Sequence, residues 1–163
     1  MVLAGLMGTG KSSVGRLLAA RLHRPLRDSD QDLRAERGLT AAQVLERYGG
    51  QDLHDWEAAH LMAALAEQPP PVVCAAASVV DRPECRKALV EPFVVWLAAP
   101  PEVLAGRFSS SAHRPRFERD LVAMLTEQEA RRGPHFAAVA DLVIDVSEIG
   151  PDQVVERILQ AAG

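Results

Sequence analysis

Cysteine is nearly absent: Cys74 and Cys85 are the only thiols in 163 residues. They lie far apart without metal-ligand spacing, and Cys74 falls inside an apolar run, where a buried thiol is the ordinary outcome. A reducing cytoplasm is the expected setting. An excess of positive charge is also missing. The formal net charge is −4 and the pI is near 5.7, so no broad basic face is available to neutralise nucleic-acid phosphates, and no nucleic-acid partner is expected. No apolar run approaches the roughly 20 residues that span a bilayer, and apolar residues beginning at position 2 leave no charged and apolar regions for a signal peptide. A soluble, intracellular protein with no membrane partner is expected. Repeats, heptads and a disordered tail are lacking too. The length suits one domain, residues 1–163, able to bury roughly 70% of its unfolded surface.

Lysine is the scarcest charged residue, with two among 18 basic side chains, and one of them stands in an informative place. Gly5-Leu6-Met7-Gly8-Thr9-Gly10-Lys11-Ser12 satisfies G-x-x-x-x-G-K-[S/T] directly after the apolar Val2-Leu3-Ala4. Glycines let the backbone curl with its N–H groups turned toward oxyanions, and a helix starting near Lys11 adds its positive end. Gly8, Thr9, Gly10, Lys11, Ser12 and Ser13 are the candidate phosphate binders, with Lys11 reaching the outer phosphates and Ser12 a divalent metal. Val14, Leu17, Leu18 and Leu22 follow at helical spacing, the context the motif requires. The blander reading is a glycine turn followed by a solvated lysine. The dinucleotide fingerprint fails, because Ser13 stands where its third glycine belongs.

Short apolar runs alternate with amphipathic stretches, which argues for an α/β fold with a parallel sheet covered by helices in three layers. Strands are expected at 2–6, 25–28, 72–76, 93–98 and 142–146. Helices are expected at 11–23, 40–48, 51–67, 82–90, 101–107, 118–131 and 151–161. Between 31 and 67 the pattern is helical with no strand, which predicts a small helical subdomain over the strand ends. Residues 108–117 are polar, basic and lid-like. Ligands of open parallel sheets bind at the carboxyl ends of strands, and both segments follow such ends.

The second strand ends in Arg27-Asp28-Ser29-Asp30. An extended backbone would point both carboxylates the same way, one toward a metal and one toward an acceptor hydroxyl. The competing reading makes Asp28 or Ser29 the N-cap of a following helix.

Taken with the loop at 5–12, Asp28-x-Asp30, Arg107-x6-Arg114-Pro115, Arg132-Gly-Pro-His-Phe and Ala140-Asp141, the chain resembles the shikimate kinases nearly end to end. The resemblance implies a phosphate-loop kinase fold with a five-stranded sheet of order 2-3-1-4-5, ATP with Mg²⁺ as donor, and a small acceptor phosphorylated on a hydroxyl. It implies that Asp28, with Ser12, serves the metal, and that Asp30 grips the acceptor hydroxyl and takes its proton. Arg107 packs on adenine, Arg114 closes over the transferring phosphoryl, the stretch 144–151 ending in Pro151 walls the adenine, and Arg132 binds an acceptor carboxylate. Lys11, Asp30 and Arg114 form the catalytic set. A mobile arginine suits a metaphosphate-like transition state, whose charge lies on the equatorial oxygens. Without the resemblance, Arg107 reads equally as a helix-end arginine on carbonyls, and Arg132 as a solvated neighbour of Arg131.

Three departures bear on the acceptor. Ala75-Ala76-Ala77 replaces the family's triple glycine, setting three methyls against the acceptor ring and resisting positive φ. His54 stands where an arginine holds the acceptor carboxylate, in a motif that keeps Glu57; a neutral imidazole cannot make the bidentate clamp. Phe136 replaces a tyrosine and removes a hydroxyl. ATP handling is expected to be intact and the acceptor pocket, with Asp30, His54, Ala75, Ala76, Ala77 and Arg132, rebuilt. A monomer acting on a small, hydroxyl-bearing molecule is expected. The rivals are a gluconate-type, carbohydrate or nucleotide kinase on the same scaffold, and a nucleotide-binding pseudoenzyme.

Overall fold

The computed structural model describes residues 1–109 and 118–163. Arg114 and most of the lid-like segment 108–117 lie outside the described residues. Five parallel strands, β1 (Val2–Ala4), β2 (Leu26–Asp28), β3 (Val72–Cys74), β4 (Val94–Ala98) and β5 (Leu142–Asp145), form a sheet of order β2-β3-β1-β4-β5. The expected order and fold class hold. Val2 pairs with both Val73 and Val94, and Leu3 with both Cys74 and Val95, so β1 is central. Its residues are at most 2% exposed, which explains a continuous apolar run rather than an alternating one.

Helices α1 (Lys11–Leu22) and α7 (Pro151–Ala162) pack on one another and on the strands, while α3 (Ala41–Ala66) and α6 (Glu118–Val139) form a second set of sheet contacts. α1 lies very close to β3: a Cβ added at Gly15 would sit 2.2 Å from Cys74 Sγ. The remaining helices are α2 (Ser29–Arg37), α4 (Pro83–Ala88) and α5 (Pro101–Ser109), with a 3₁₀ helix over Ala77–Asp81. Among the described residues no helix is long and apolar enough to cross a membrane.

Several boundaries differ from expectation for local reasons. α2 was absent from the expected helices because its sequence is dominated by charge; it forms because Asp28 caps it, accepting from the Asp30 and Gln31 amides, and buries Leu33. α3 opens on a capping box of Thr40 and Gln43 and turns at Gly49, whose φ of 85° fits glycine. This keeps the expected break between 48 and 51. α6 runs past the expected end at 131, through Pro134. Proline costs that helix the hydrogen bond to the carbonyl of residue 130, and Ala130 is exposed, so water can satisfy it.

Leu33, Val44 and Leu53, with Leu39, Ala41 and Trp56, make a small core separate from the main one. Ionic contacts tie this helical unit to the sheet. Arg27 at the end of β2 donates to Asp32 and Glu67, His60 and Asp32 share a 2.7 Å hydrogen bond, and Trp56 stacks on His60.

Candidate active site

Because β1 is bordered by β3 on one side and β4 on the other, the chain leaves its carboxyl end at the sheet's switch point, where a crevice forms. Residues 5–10 occupy it. Gly5, Gly8 and Gly10 have φ of 142°, 84° and 87°, and a Cβ at Gly5 would meet the Leu97 carbonyl oxygen at 2.4 Å. Glycine at position 5 is therefore required by space as well as by conformation. The buried Thr9 hydroxyl donates to Leu6 O at 2.9 Å and fixes the curl.

The first turn of α1 has no side-chain cap and no acidic residue, whereas Asp28 caps α2 and Thr40 caps α3. An uncapped helix start with glycines before it is suited to an anion. Lys11 Nζ donates to Gly5 O at 2.8 Å and Leu6 O at 3.0 Å. Loss of solvation lowers its pKa, while the charges of Asp30, Cys74, Asp28 and Glu57 pull the other way. Ser12 is half-buried and Ser13 exposed on the same turn.

Asp28 ends β2, 3% exposed. The two-carboxylate reading on an extended backbone is corrected here: Asp28 is extended, but Asp30 already lies in the first turn of α2. The capping reading and the functional one coexist on a single carboxylate. Oδ1 accepts the Asp30 and Gln31 amides, and Oδ2 is buried with no hydrogen-bond partner among the described residues. A buried carboxylate oxygen left without a donor costs free energy, and a cation answers it. The donor set fits Mg²⁺ held by one or two protein oxygens and completed by phosphate and water; among the described residues no cluster of three or more His, Cys, Asp or Glu builds a closed metal cage. Asp30 is open to solvent yet crowded, and this loss of solvation raises its pKa, with Lys11 opposing and Asp28 adding to the rise.

A second group lies on α3, the 3₁₀ helix and α6. Glu57 is 7% exposed, accepts from the Ser78 hydroxyl, and is pushed up to about 7 by burial, against the pull of Ser78, Arg132 and Lys11. Arg132 is buried at 5% exposed. Its Nε donates to Asp81 Oδ1 at 3.1 Å and Oδ2 at 3.0 Å, Nη2 to Oδ2 at 2.8 Å, and Nη1 to Gln128 Oε1 at 3.2 Å. Burial works against ionisation of Asp81, but the hydrogen bonds and charge of Arg132, with Arg131 and His54 behind, hold its carboxyl below the usual value. The pKa of His54 is lowered by partial burial and by the charge of Arg132, both of which disfavour the charged imidazole.

Ala75 is buried and Ala76 and Ala77 half-buried. Ala76 is extended (φ −63°) and Ala77 starts the 3₁₀ helix, so alanine fits this course without positive φ. Phe136 is 0% exposed and stacked on Trp96 at 5.6 Å, within the main core. Arg107 donates to Gly8 O at 3.0 Å and to Val146 O, bridging the glycine loop to the segment after β5; Pro151 begins α7 beyond it. The structure thus brings Lys11, Asp28, Asp30 and Glu57 into one electrostatic group, and His54, Asp81 and Arg132 into another, joined through Glu57 and Arg132. Sequence reasoning assigned no role to Glu57, Ser78 or Asp81. The Glu57 motif was a signal, but nothing around Asp81 points to a partner 51 positions away.

A parallel sheet whose first strand feeds a phosphate cradle, with carboxylates at the end of a nearby strand, is the plan of the phosphate-loop kinases. The chain belongs to the shikimate kinase family, whose model matches residues 7–162. It is 36% identical over 163 residues to the shikimate kinase of Caulobacter vibrioides, covering 99% of this chain and 80% of that one. Among solved structures it is similar to shikimate kinase from Acinetobacter baumannii in complex with shikimate (TM-score 0.88, 26% identity, 99% and 90% covered). A gluconokinase from Sinorhizobium meliloti shares the fold (TM-score 0.62, 24% identity, 98% and 89% covered). The chain is accordingly an ATP-dependent kinase acting on a small substrate.

Proposed function

We propose that the chain moves the γ-phosphate of ATP to a hydroxyl of a small polyhydroxylated molecule. The observation that carries this reading is the grouping of Lys11, Asp28 and Asp30 around an uncapped helix start. Gly8, Thr9, Gly10, Lys11, Ser12 and Ser13 cradle the phosphates. Ser12 and Asp28 would hold Mg²⁺, which would neutralise phosphate charge there. Asp30, its pKa raised, receives the proton of the acceptor hydroxyl as the new O–P bond forms and the bridging bond to the β-phosphate breaks, its electron pair leaving with ADP. Arg114 covers the transferring group, and Arg107 and Pro151 border the nucleotide. Arg107's bond to the Gly8 carbonyl supports that role by fixing the guanidinium against the loop.

The acceptor lies by Asp30, His54, Ala75, Ala76, Ala77 and Arg132. Shikimate, the ligand of the Acinetobacter protein, is the candidate offered by descent. Replacing a clamping arginine by neutral His54 removes a charged hydrogen bond worth roughly 1.5 to 3 kcal/mol, or about one to two powers of ten in affinity. Asp30→Asn tests the reaction. Acceptor-dependent ADP release should fall by about 10² to 10⁴ while ATP affinity stays within a few-fold. Undiminished turnover in the variant would remove Asp30 as the base.

A further inference from the structure

We propose that Asp81 is a specificity-determining residue: it neutralises the buried Arg132 guanidinium through its Nε–Nη2 edge, so the acceptor is an uncharged polyhydroxylated molecule. The inference rests on the kinase reading and refines its acceptor.

The pair has the geometry of a side-on bidentate carboxylate clamp. Arg132 reaches both Asp81 oxygens through Nε and Nη2, at 2.8 to 3.1 Å, and gives Nη1 to Gln128. Arg132 is nearly inaccessible, whereas the Asp81 side chain retains 30% exposure. A guanidinium presents its donors in a fixed plane, and here the carboxylate that meets them belongs to the chain. Asp81 takes the Nε–Nη2 edge and Gln128 one Nη1 hydrogen, so a second carboxylate would have to approach the remaining Nη1–Nη2 edge of a side chain that is 6% exposed and whose charge Asp81 already neutralises.

Nothing nearby offers a substitute among the described residues. The cations acting on His54, Asp30 and Glu57 are Lys11, Arg82, Arg131 and Arg132. Lys11 bonds the loop carbonyls and belongs to the phosphates. Arg82 is paired with Asp55. Arg131 meets Glu127 at 3.2 Å and Asp81 at 4.0 Å. Asp30 and Glu57 add two carboxyl groups that act on one another electrostatically, and Ala76 and Ala77 add half-buried methyls. Carboxyl oxygens suit hydroxyl donors and methyls suit the C–H face of a ring. Each cation in this set is already met by a carboxylate or by loop carbonyls.

The test scores acceptor-dependent ADP release by the full chain with Mg²⁺ and ATP. Its panel comprises uncharged cyclitols and monosaccharides, each beside a carboxylated counterpart. Shikimate and its methyl ester are the best-matched pair, since they share every hydroxyl and differ in charge. Wild type should favour the uncharged member in kcat/KM by roughly tenfold or more. Asp81→Asn, which keeps shape but frees Arg132, should shift the ratio toward the acids by roughly tenfold, mainly through acceptor KM and with ATP KM unchanged. Should Asp81→Asn not fold, Asp81→Ser gives the same comparison, and the wild-type ratio decides independently. Acids preferred by wild type, or a ratio that neither variant moves, overturns the inference and leaves the kinase reading standing. ADP release raised by no acceptor in any of the proteins overturns the kinase reading, and this inference with it.

Discussion

Glu57 shows how one buried side chain links site and stability. Burial holds its pKa at about 7, against 4.5 in the unfolded chain. The groups facing it are Ser78 from the 3₁₀ helix, Asp30 from α2, Arg132 from α6 and Lys11 from α1. Between those two pH values the folded protein keeps a proton that the unfolded chain has released. The stability tied to this group is therefore complete below pH 4.5 and is lost as pH rises through about 7, by at most about 3 kcal/mol. Glu57→Gln cannot titrate. Relative to wild type, the variant should gain about 1 to 3 kcal/mol in urea denaturation between pH 5 and pH 8; a constant difference, or one of opposite sign, contradicts the assignment. At this scale the sequence displayed each chemical group but not its neighbour. Lys11 and Ser12 were legible because a local motif places them. The Asp81–Arg132 pair was not, because only tertiary packing joins a 3₁₀ helix after β3 to the middle of α6.

The elements were legible where a periodic apolar face decides them. The inner strands β1, β3 and β4, together with α1, follow their hydrophobic runs, since a strand buried on both faces admits little else. α2 and the 3₁₀ helix were not. Both are short, and what makes them fold is a cap or the requirement to bury Ser78, Val79 and Val80, neither of which has a period. Close packing gives a further test. Gly15 brings α1 within contact of β3, and Cys74, whose thiol burial pushes to about 12, fills the space where a methyl would go. Alanine improves helix propensity by about 1 kcal/mol, but overpacking costs about 1 to 3 kcal/mol, so Gly15→Ala should lower stability. In a Cys74→Ala background the cost should shrink by about 1 kcal/mol or more. Additive thermal denaturation data for the double variant would show that the contact is not the cause.

Across the whole molecule, two cores with different roles are joined at one sheet edge. The main core holds the strands and their covering helices, and it fixes the glycine loop and Asp28 to rigid elements. The smaller core under α2 and α3 carries Asp30, His54 and Glu57, so these side chains are set by a unit attached through Arg27, Asp32 and His60. On the function proposed above, this arrangement would let the donor side keep its chemistry while the acceptor side changes, with Ala76, Ala77 and the Asp81–Arg132 pair as the altered parts. The central claim is phosphoryl transfer between the two sides. Phosphorus NMR of the wild-type protein with ATP, Mg²⁺ and the full panel of uncharged and carboxylated acceptors tests it directly. A new phosphomonoester resonance should grow in step with ADP for at least one acceptor. ATP that persists unchanged, or that yields only inorganic phosphate with every acceptor, would contradict it.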